Sequence, residues 1–559
     1  MSPLLLSVVV AGYLLILAGL AYKAWRETHT GSDYLVAGRQ SHPFVMAMSY
    51  GATFVSTSAI IGFGGAAAVF GMGLLWLTFL TIFVGIFVAF IFFGRRTRVM
   101  GANLNAHTFP EFIGLRFQSR GLQGAAGLLI FAAMPLYAAV VLMGGGKFIA
   151  QILAVDYQMA LLVLTLIVAL YVVMGGIKGV MYTDAFQGSI MFAGMVTLLV
   201  FTYYRLGGVT AAHERLTGMK DIAISMFGAK GHTGWTSFPA FMSEYWLVVV
   251  TTIVLGVGIG VLAQPQLIVR FMTVKSDREL NRAVLIGGVF ILVAVGVAFI
   301  VGPLANVFFY YENPATQGQI ALLAAGKQVD AIIPLYIGQA MPQWFAAIFM
   351  VTMLSAAMST LSSQFHTMGT SLGRDLYEGA LGRRGNSLLI NKVAVFSAIA
   401  LSYGLASALP VFFEGGTAII AHGTAIFFGI CAAAFLPMYF GAIYFRGMTR
   451  AGAWAGFATG TLVSLFWIFF VHIKESKSLM LCQALFGVDS LAGDTLWTVV
   501  DPLVVALPLS IVATVVGNLH GAKIPVRHLV HCFRGIPRFS RQMPGKTSLP
   551  LTGGVPAAD

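Results

Sequence analysis

Apolar runs long enough to cross a bilayer recur along this chain with polar breaks between them. They fall near 3–22, 44–66, 73–94, 121–146, 157–175, 179–204, 245–268, 283–309, 345–371, 389–409, 418–445, 451–472 and 497–517. A spanning helix needs about 20 apolar residues, so the pattern predicts an all-α membrane protein of about thirteen transmembrane helices. The first run lacks a basic segment before it and is longer than a signal-peptide core, so it is read as a retained helix.

Three runs are interrupted in ways that a purely lipid-facing helix does not need. Within 345–371, Ser355, Ser359, Thr360, Ser362 and Ser363 crowd one short stretch. Hydroxyl and carbonyl oxygens suit a hard cation, so this segment reads as the wall of an ion site. In 46–71, Gly51, Thr53, Ser56, Thr57 and Ser58 interrupt the apolar pattern, and Gly62, Gly64 and Gly65 follow. In 256–272, Gly256, Gly258, Gly260 and Pro265 stand where mid-membrane would be. Both stretches predict broken helices. Breaks at matching places in two halves point to a transporter binding site, whereas small residues also serve close helix packing.

Composition narrows the class. Of 559 residues, 58% are hydrophobic and 9% charged, with a mean hydropathy of +0.87, whereas soluble domains carry about 25% charged residues. The net charge of +13 belongs to loops rather than to a nucleic-acid surface. With the N-terminus outside, 25 of the 33 Lys and Arg fall in inner segments. That bias predicts an outside N-terminus, a cytoplasmic C-terminus and residence in the plasma membrane. The basic residues beyond Gly521 read as an orientation and lipid-surface signal. The three cysteines form neither a metal spacing nor a disulfide framework. No HExxH, paired catalytic carboxylates or Ser–His–Asp setting argues for an enzyme.

Intramembrane acids are costly and functional by default. Asp184, flanked by Thr183 and Gln187 in GGIKGVMYTDAFQ, is read as a cation ligand; the alternative is an ion pair with Lys178. Helix amides at a break suit a small carboxylate. Lys147 and His422 are candidate helpers, against a snorkelling lysine and a packed histidine.

The motifs GGIKGVMYTD-x-x-Q (175–187), G-x-G…QPQLIVRFM (258–272) and AAMSTLSSQ…RDLY (356–377), in this order, resemble the sodium:solute symporter family over about 30–445. That resemblance implies a LeuT-type fold. Segment 1–43 would hold a peripheral helix and a cytoplasmic loop. Two inverted five-helix repeats would occupy 44–205 and 245–445, separated by an extracellular loop at 206–244. Two further helices would fill 446–518, and 519–559 would be a basic cytoplasmic tail. It also implies one sodium held at Ala52, Val55, Ala356, Ser359 and Thr360, and a second at Asp184, Ser359, Ser362 and Ser363. The expected function is sodium-coupled import of a small organic solute by alternating access. Proton coupling on the same fold is the rival; a sodium-responsive sensor or channel is disfavoured by the short C-terminal tail. Solute contacts are expected from Thr53, Ser56, Thr57, Val257, Val261 and Gln264. The chain departs from the family pattern at Val257 and Val261, where proline carriers place aromatics. It departs again at Phe54, where an aspartate is frequent, and at Gln266, where many members have histidine. The solute is therefore expected to be a small carboxylate or amino acid, with sugar and proline disfavoured.

Overall fold

In hydrocarbon every backbone N–H and C=O must be satisfied within the chain, which leaves helices as the economical solution for these apolar runs. The structure, a computed structural model, describes residues 3–27, 35–383, 387–412 and 418–536. Among the described residues it consists of helices and connecting loops, with a single isolated bridge between Ser41 and Val274. We label the helices α1 (Pro3–Arg26), α2 (Pro43–Phe54), α3 (Ser58–Phe70), α4 (Met72–Asn103), α5 (Phe109–Phe117), α6 (Arg120–Leu153) and α7 (Tyr157–Arg205). There follow α8 (Glu244–Ala263), α9 (Pro265–Phe271), α10 (Asp277–Glu312), α11 (Val329–Ala340), α12 (Gln343–Ala380), α13 (Ser387–Phe412) and α14 (Ile419–Tyr444). The last four are α15 (Arg450–Phe470), α16 (Ile473–Leu479), α17 (Leu503–His520) and α18 (Val526–Cys532).

Among the described residues, eleven helices are long and apolar enough to span a membrane, and the bent pair α2–α3 makes a twelfth span. The expected run at 157–175 is present as the shorter apolar helix Tyr157–Leu170, beside the span Ile177–Arg205. Helical backbone continues through 176–179, where a loop is expected, so both stretches share the label α7, but they pack as two spans, with Leu164 against Gly145 and Thr352 against Gly194. The polar stretch 206–244 holds two short helices, Val209–Gly218 and Lys220–Phe227. The expected tail lies outside the described residues beyond 536.

Both predicted breaks are present, each with a local cause. α2 ends at Phe54, Val55 turns extended (φ −83°, ψ 96°), and α3 leaves at 52° to α2. Ser56 Oγ accepts the Ser58 N–H (3.2 Å), meeting one of the N–H groups that the new helix leaves open. In the second break Pro265 forces Gln264 extended (φ −75°, ψ 115°) and then occupies the first position of α9, where it needs no N–H.

These broken helices sit inside the bundle. α12 packs on α2, α6 and α7, and α10 covers α2 and α3. Backbones approach so closely that a Cβ on Gly302 would stand 2.2 Å from the Gly64 carbonyl, and one on Gly460 2.0 Å from that of Ala433. Small residues are what permit such contacts in a membrane. At one end of the bundle, the basic end, Asp277 pairs with Arg95 (2.8 Å) and Arg98 (2.5 Å), Glu111 with Arg374 (2.9 Å), and Glu27 with Lys178 (3.1 Å). Arg116 and Arg96 there donate to the last carbonyls of α14, at Ala442, Phe445 and Ile443 (3.0 Å each). Cations at a helix C-terminus meet both its open acceptors and its dipole.

Candidate functional site

The end of α2 leaves carbonyls without helical partners, and α12 brings hydroxyls to them. Ser359 Oγ lies 2.9 Å from Ala52 O, and Thr360 Oγ1 lies 3.1 Å from Thr53 O and 3.4 Å from Ala52 O. Ala356 O is 3.5 Å from Ser359 Oγ. Ala52, Val55, Ala356, Ser359 and Thr360 are all fully buried. Four of the five residues expected at the first ion site thus contribute oxygens to one cluster, with Val55 at the adjoining bend. The donor set is neutral oxygen only, which fits an alkali cation rather than a transition metal.

One turn further toward the basic end lies a buried charge cluster. Ser49 Oγ donates to Asp184 Oδ2 (2.7 Å), and Thr53 Oγ1 lies 3.4 Å from the same oxygen. Arg270, from the last turn of α9, is 1% exposed. Its Nη2 lies within hydrogen-bond reach of Asp184 Oδ2 (3.0 Å), Ser363 Oγ (2.6 Å) and Thr53 Oγ1 (2.5 Å), and its Nε donates to Ser49 Oγ (2.9 Å). Thr53 Oγ1 also lies 3.0 Å from Ser363 Oγ. Arg270 therefore ties both broken helices to α7 and α12 at one point. In the sequence alone it is one more basic residue at the edge of an inner segment. The usable signal was Asp184 itself, since a buried carboxylate calls for a cation and Arg270 ends the second break.

The arginine changes the expected second ion set. It holds Asp184 Oδ2 and Ser363, while Ser362 Oγ donates back to Ser359 O (3.1 Å). Asp184 Oδ1 remains buried and accepts no hydrogen bond. The alternative pairing of Asp184 with Lys178 is not formed, because Lys178 is engaged by Glu27.

The expected solute contacts are mostly occupied elsewhere. Thr57 Oγ1 donates to Val141 O (2.6 Å). Val257 is buried, and Val261 packs against Gly85 of α4 (3.1 Å to a Cβ built there). Gln264 Nε2 donates to Gly260 O (3.2 Å), and its Oε1 accepts from Gln266 (3.2 Å). Lys147, expected as a solute helper, forms an ion pair, with Nζ 3.2 Å from Asp330 Oδ2. His422, the other expected helper, has Nδ1 3.0 Å from Ala418 O and Nε2 3.0 Å from Lys474 Nζ, so both ring nitrogens are engaged.

The break is instead walled by aromatics that the sequence reading did not assign to it. Phe428 of α14 meets Phe54 (ring centroids 6.1 Å) and Tyr137 (5.3 Å), and Tyr137 stacks on Phe427 (5.4 Å). The Tyr137 hydroxyl reaches the Ser56 side chain. Toward the basic end a narrow cleft of about 20 Å³, room for about one water, reaches Arg270, Ser363, Gln266 and His366.

Broken helices facing a buried oxygen cluster define a membrane transporter of the inverted-repeat class. The sequence model of the sodium:solute symporter family matches residues 34–460, and the chain belongs to that family. A sodium/proline symporter of Staphylococcus aureus is 28% identical over 476 residues, covering 84% of this chain and 87% of the relative. A sodium/pantothenate symporter of Haemophilus influenzae is 27% identical over 390 residues, covering 69% and 75%. A solved structure of a Na+-coupled sialic acid symporter in a substrate-bound outward-open state superposes with a TM-score of 0.68 at 17% identity, covering 93% of this chain and 98% of that one. The fold is thus of the LeuT type, as the motifs implied.

Proposed function

We propose that this protein is a secondary active symporter that couples sodium to the import of a small organic acid or amino acid by alternating access. The observation that carries the reading is the oxygen cluster of Ala52, Ala356, Ser359 and Thr360. It bridges the end of a broken helix to α12, so an ion bound there joins two parts of the bundle. In this reading sodium enters from the side of Lys147 and Asp330, and solute binding between the breaks favours closure. Release follows toward the basic end, which is placed in the cytoplasm with the C-terminus.

A carboxylate is favoured because the similar symporters are named for proline, pantothenate and sialic acid, all of them carboxylic acids. The open N–H groups at a helix break suit that group, and Phe54, Tyr137 and Phe428 offer an apolar wall to the rest of the solute. Proline, disfavoured by the absence of aromatics in α8, returns to the screen because α6 and α14 supply them. A second sodium is proposed at Asp184 Oδ1, the one carboxylate oxygen that Arg270 leaves open. A proton could answer the same open oxygen, which keeps proton coupling as the second reading.

The test is uptake into proteoliposomes of labelled acetate, pyruvate, proline and pantothenate, with an inward sodium gradient and, separately, an inward proton gradient. Sodium-stimulated uptake of one of these acids supports the proposal. Uptake sustained by acid pH without sodium supports proton coupling instead. Should all four fail, a sodium-induced rise in melting temperature, absent with potassium, still tests the ion site by linkage.

A further inference from the structure

Between α14 and α17, near the basic end, the outer surface of the bundle is indented by a cavity of about 600 Å³. Phe440 and Phe445 form one wall, Ile511, Val515 and Leu519 the other, and Leu262 the floor. The walls stay open to the outside: Phe445 is 58% exposed, Val515 56% and Leu519 76%. Both helices are long and apolar enough to cross a membrane, so the medium at this opening is the bilayer.

Water is a poor occupant. Of the two polar residues of the lining, Thr514 Oγ1 donates to Ser510 O (2.7 Å) and Asn518 Oδ1 accepts the Thr449 N–H (2.7 Å), which leaves the Asn518 amide N–H groups as the polar donors of an otherwise apolar lining. A water needs two to four polar partners, which this lining does not offer. Hydrocarbon from the bilayer needs none.

Basic residues follow both walls of the groove in the chain. Arg446 follows Phe445 directly, and Lys523 lies just past Leu519. Gly521 packs on Thr449 and Ala451, which draws the two stretches together. Three acids of this end already have cations: Asp277 has Arg95 and Arg98, Glu111 has Arg374, and Glu27 has Lys178. Among the described residues no acid pairs with Arg446 or Lys523. Arg446 instead lies over the Phe533 ring, 5.2 Å from its centroid. A phosphate would meet two uncompensated cations at the level where an acyl chain leaves the groove.

We propose that this groove holds one acyl chain of an anionic phospholipid whose phosphate sits on Arg446 and Lys523. The chain's far end touches Leu262, in the last turn before the Gln264–Pro265 break, so the bound lipid braces one side of the second broken helix. The inference is independent of which solute is carried.

Full-length purified protein, stripped of lipid in detergent, would be titrated with phosphatidylglycerol or phosphatidylcholine of matched chains and examined by native mass spectrometry. Wild type is expected to retain phosphatidylglycerol over phosphatidylcholine. Ile511→Trp with Val515→Trp fills the groove and should lose most of the bound phosphatidylglycerol. Arg446→Gln with Lys523→Gln leaves the groove open and should erase the preference between the two lipids. An unchanged melting temperature shows that each variant is folded. Equal retention of both lipids by wild type, or undiminished phosphatidylglycerol in the folded tryptophan variant, would overturn the proposal.

Discussion

Arg270 is the residue on which the buried polar centre turns. A guanidinium presents donors in a rigid fork, and here that fork serves Ser49, Thr53, Ser363 and Asp184 together. Removing one member of a buried ion pair strands the other charge and costs about 3–5 kcal/mol. Arg270→Gln and Asp184→Asn alone should therefore each lower the unfolding temperature of the detergent-solubilised protein markedly. The double variant should recover a large part of the loss, because no uncompensated charge remains. Arg270→Lys should not rescue, since one ammonium cannot span the four oxygens. Additive losses in the double variant would show that the pair is not an energetic unit. The first ion cluster makes a separate prediction. Ser359→Ala with Thr360→Ala removes two hydroxyls that face Ala52 and Thr53, so sodium-driven uptake should vanish and the sodium-dependent rise in melting temperature should shrink to what the Asp184 site alone supplies. The hydroxyl run and Asp184 were legible in the sequence because each is out of place in an apolar segment. Arg270 was not, because an arginine near the end of an apolar run looks like ordinary loop charge until the fold turns it inward.

At the scale of elements, the two breaks could be read in advance because their causes are local: hydroxyls and glycines around Val55, and Pro265 acting on Gln264. The short helix α11 could not, since its place depends on partners distant in sequence. Asp330 at its start accepts from Lys147 of α6 (3.2 Å) and faces the N-terminal end of α14 at Ile419 and Ile420. An anion at a helix N-terminus is favourable, so Asp330 pins α11 to two spans. Lys147→Met should destabilise the protein by leaving Asp330 buried and unpaired, and Asp330→Asn in that background should restore part of the loss, as thermal unfolding would show. α16 carries a second such lock. Burial of His472 opposes its charge, but the adjoining Glu475 carboxylate outweighs burial and raises its pKa above 6.5. A raised histidine stabilises fully below its unfolded pKa, and the contribution is lost as pH climbs through the folded value. The melting temperature should thus fall as pH rises from about 6.5, and His472→Gln should flatten that slope. An unaltered slope in the variant would place the titrating group elsewhere.

For the whole molecule, the arrangement of charges decides what the membrane potential can drive. The first cluster joins α2 to α12, while Asp184, Arg270 and Ser363 join both broken helices to α7 and α12. Any relative motion of these parts must break or remake both junctions. One charge crossing 100 mV is worth about 2.3 kcal/mol, nearly two decades of accumulation at about 1.4 kcal/mol each. A monoanion carried with one sodium moves no net charge and gains nothing from voltage, whereas with two it moves one. Arg270 and Asp184 cancel each other, so the resident pair does not alter this count. If the second sodium uses Asp184 Oδ1, uptake of an acid should rise when an inside-negative potential is imposed across the proteoliposome at a fixed sodium gradient. Asp184→Asn, paired with Arg270→Gln to keep the interior neutral, should then transport with a lower sodium-to-solute ratio and lose the voltage response. Measurement of the ratio from sodium and solute fluxes at several potentials decides between the two counts. A ratio unchanged in the paired variant would assign the extra charge to another group and leave Asp184 as the anchor that holds Arg270 in place.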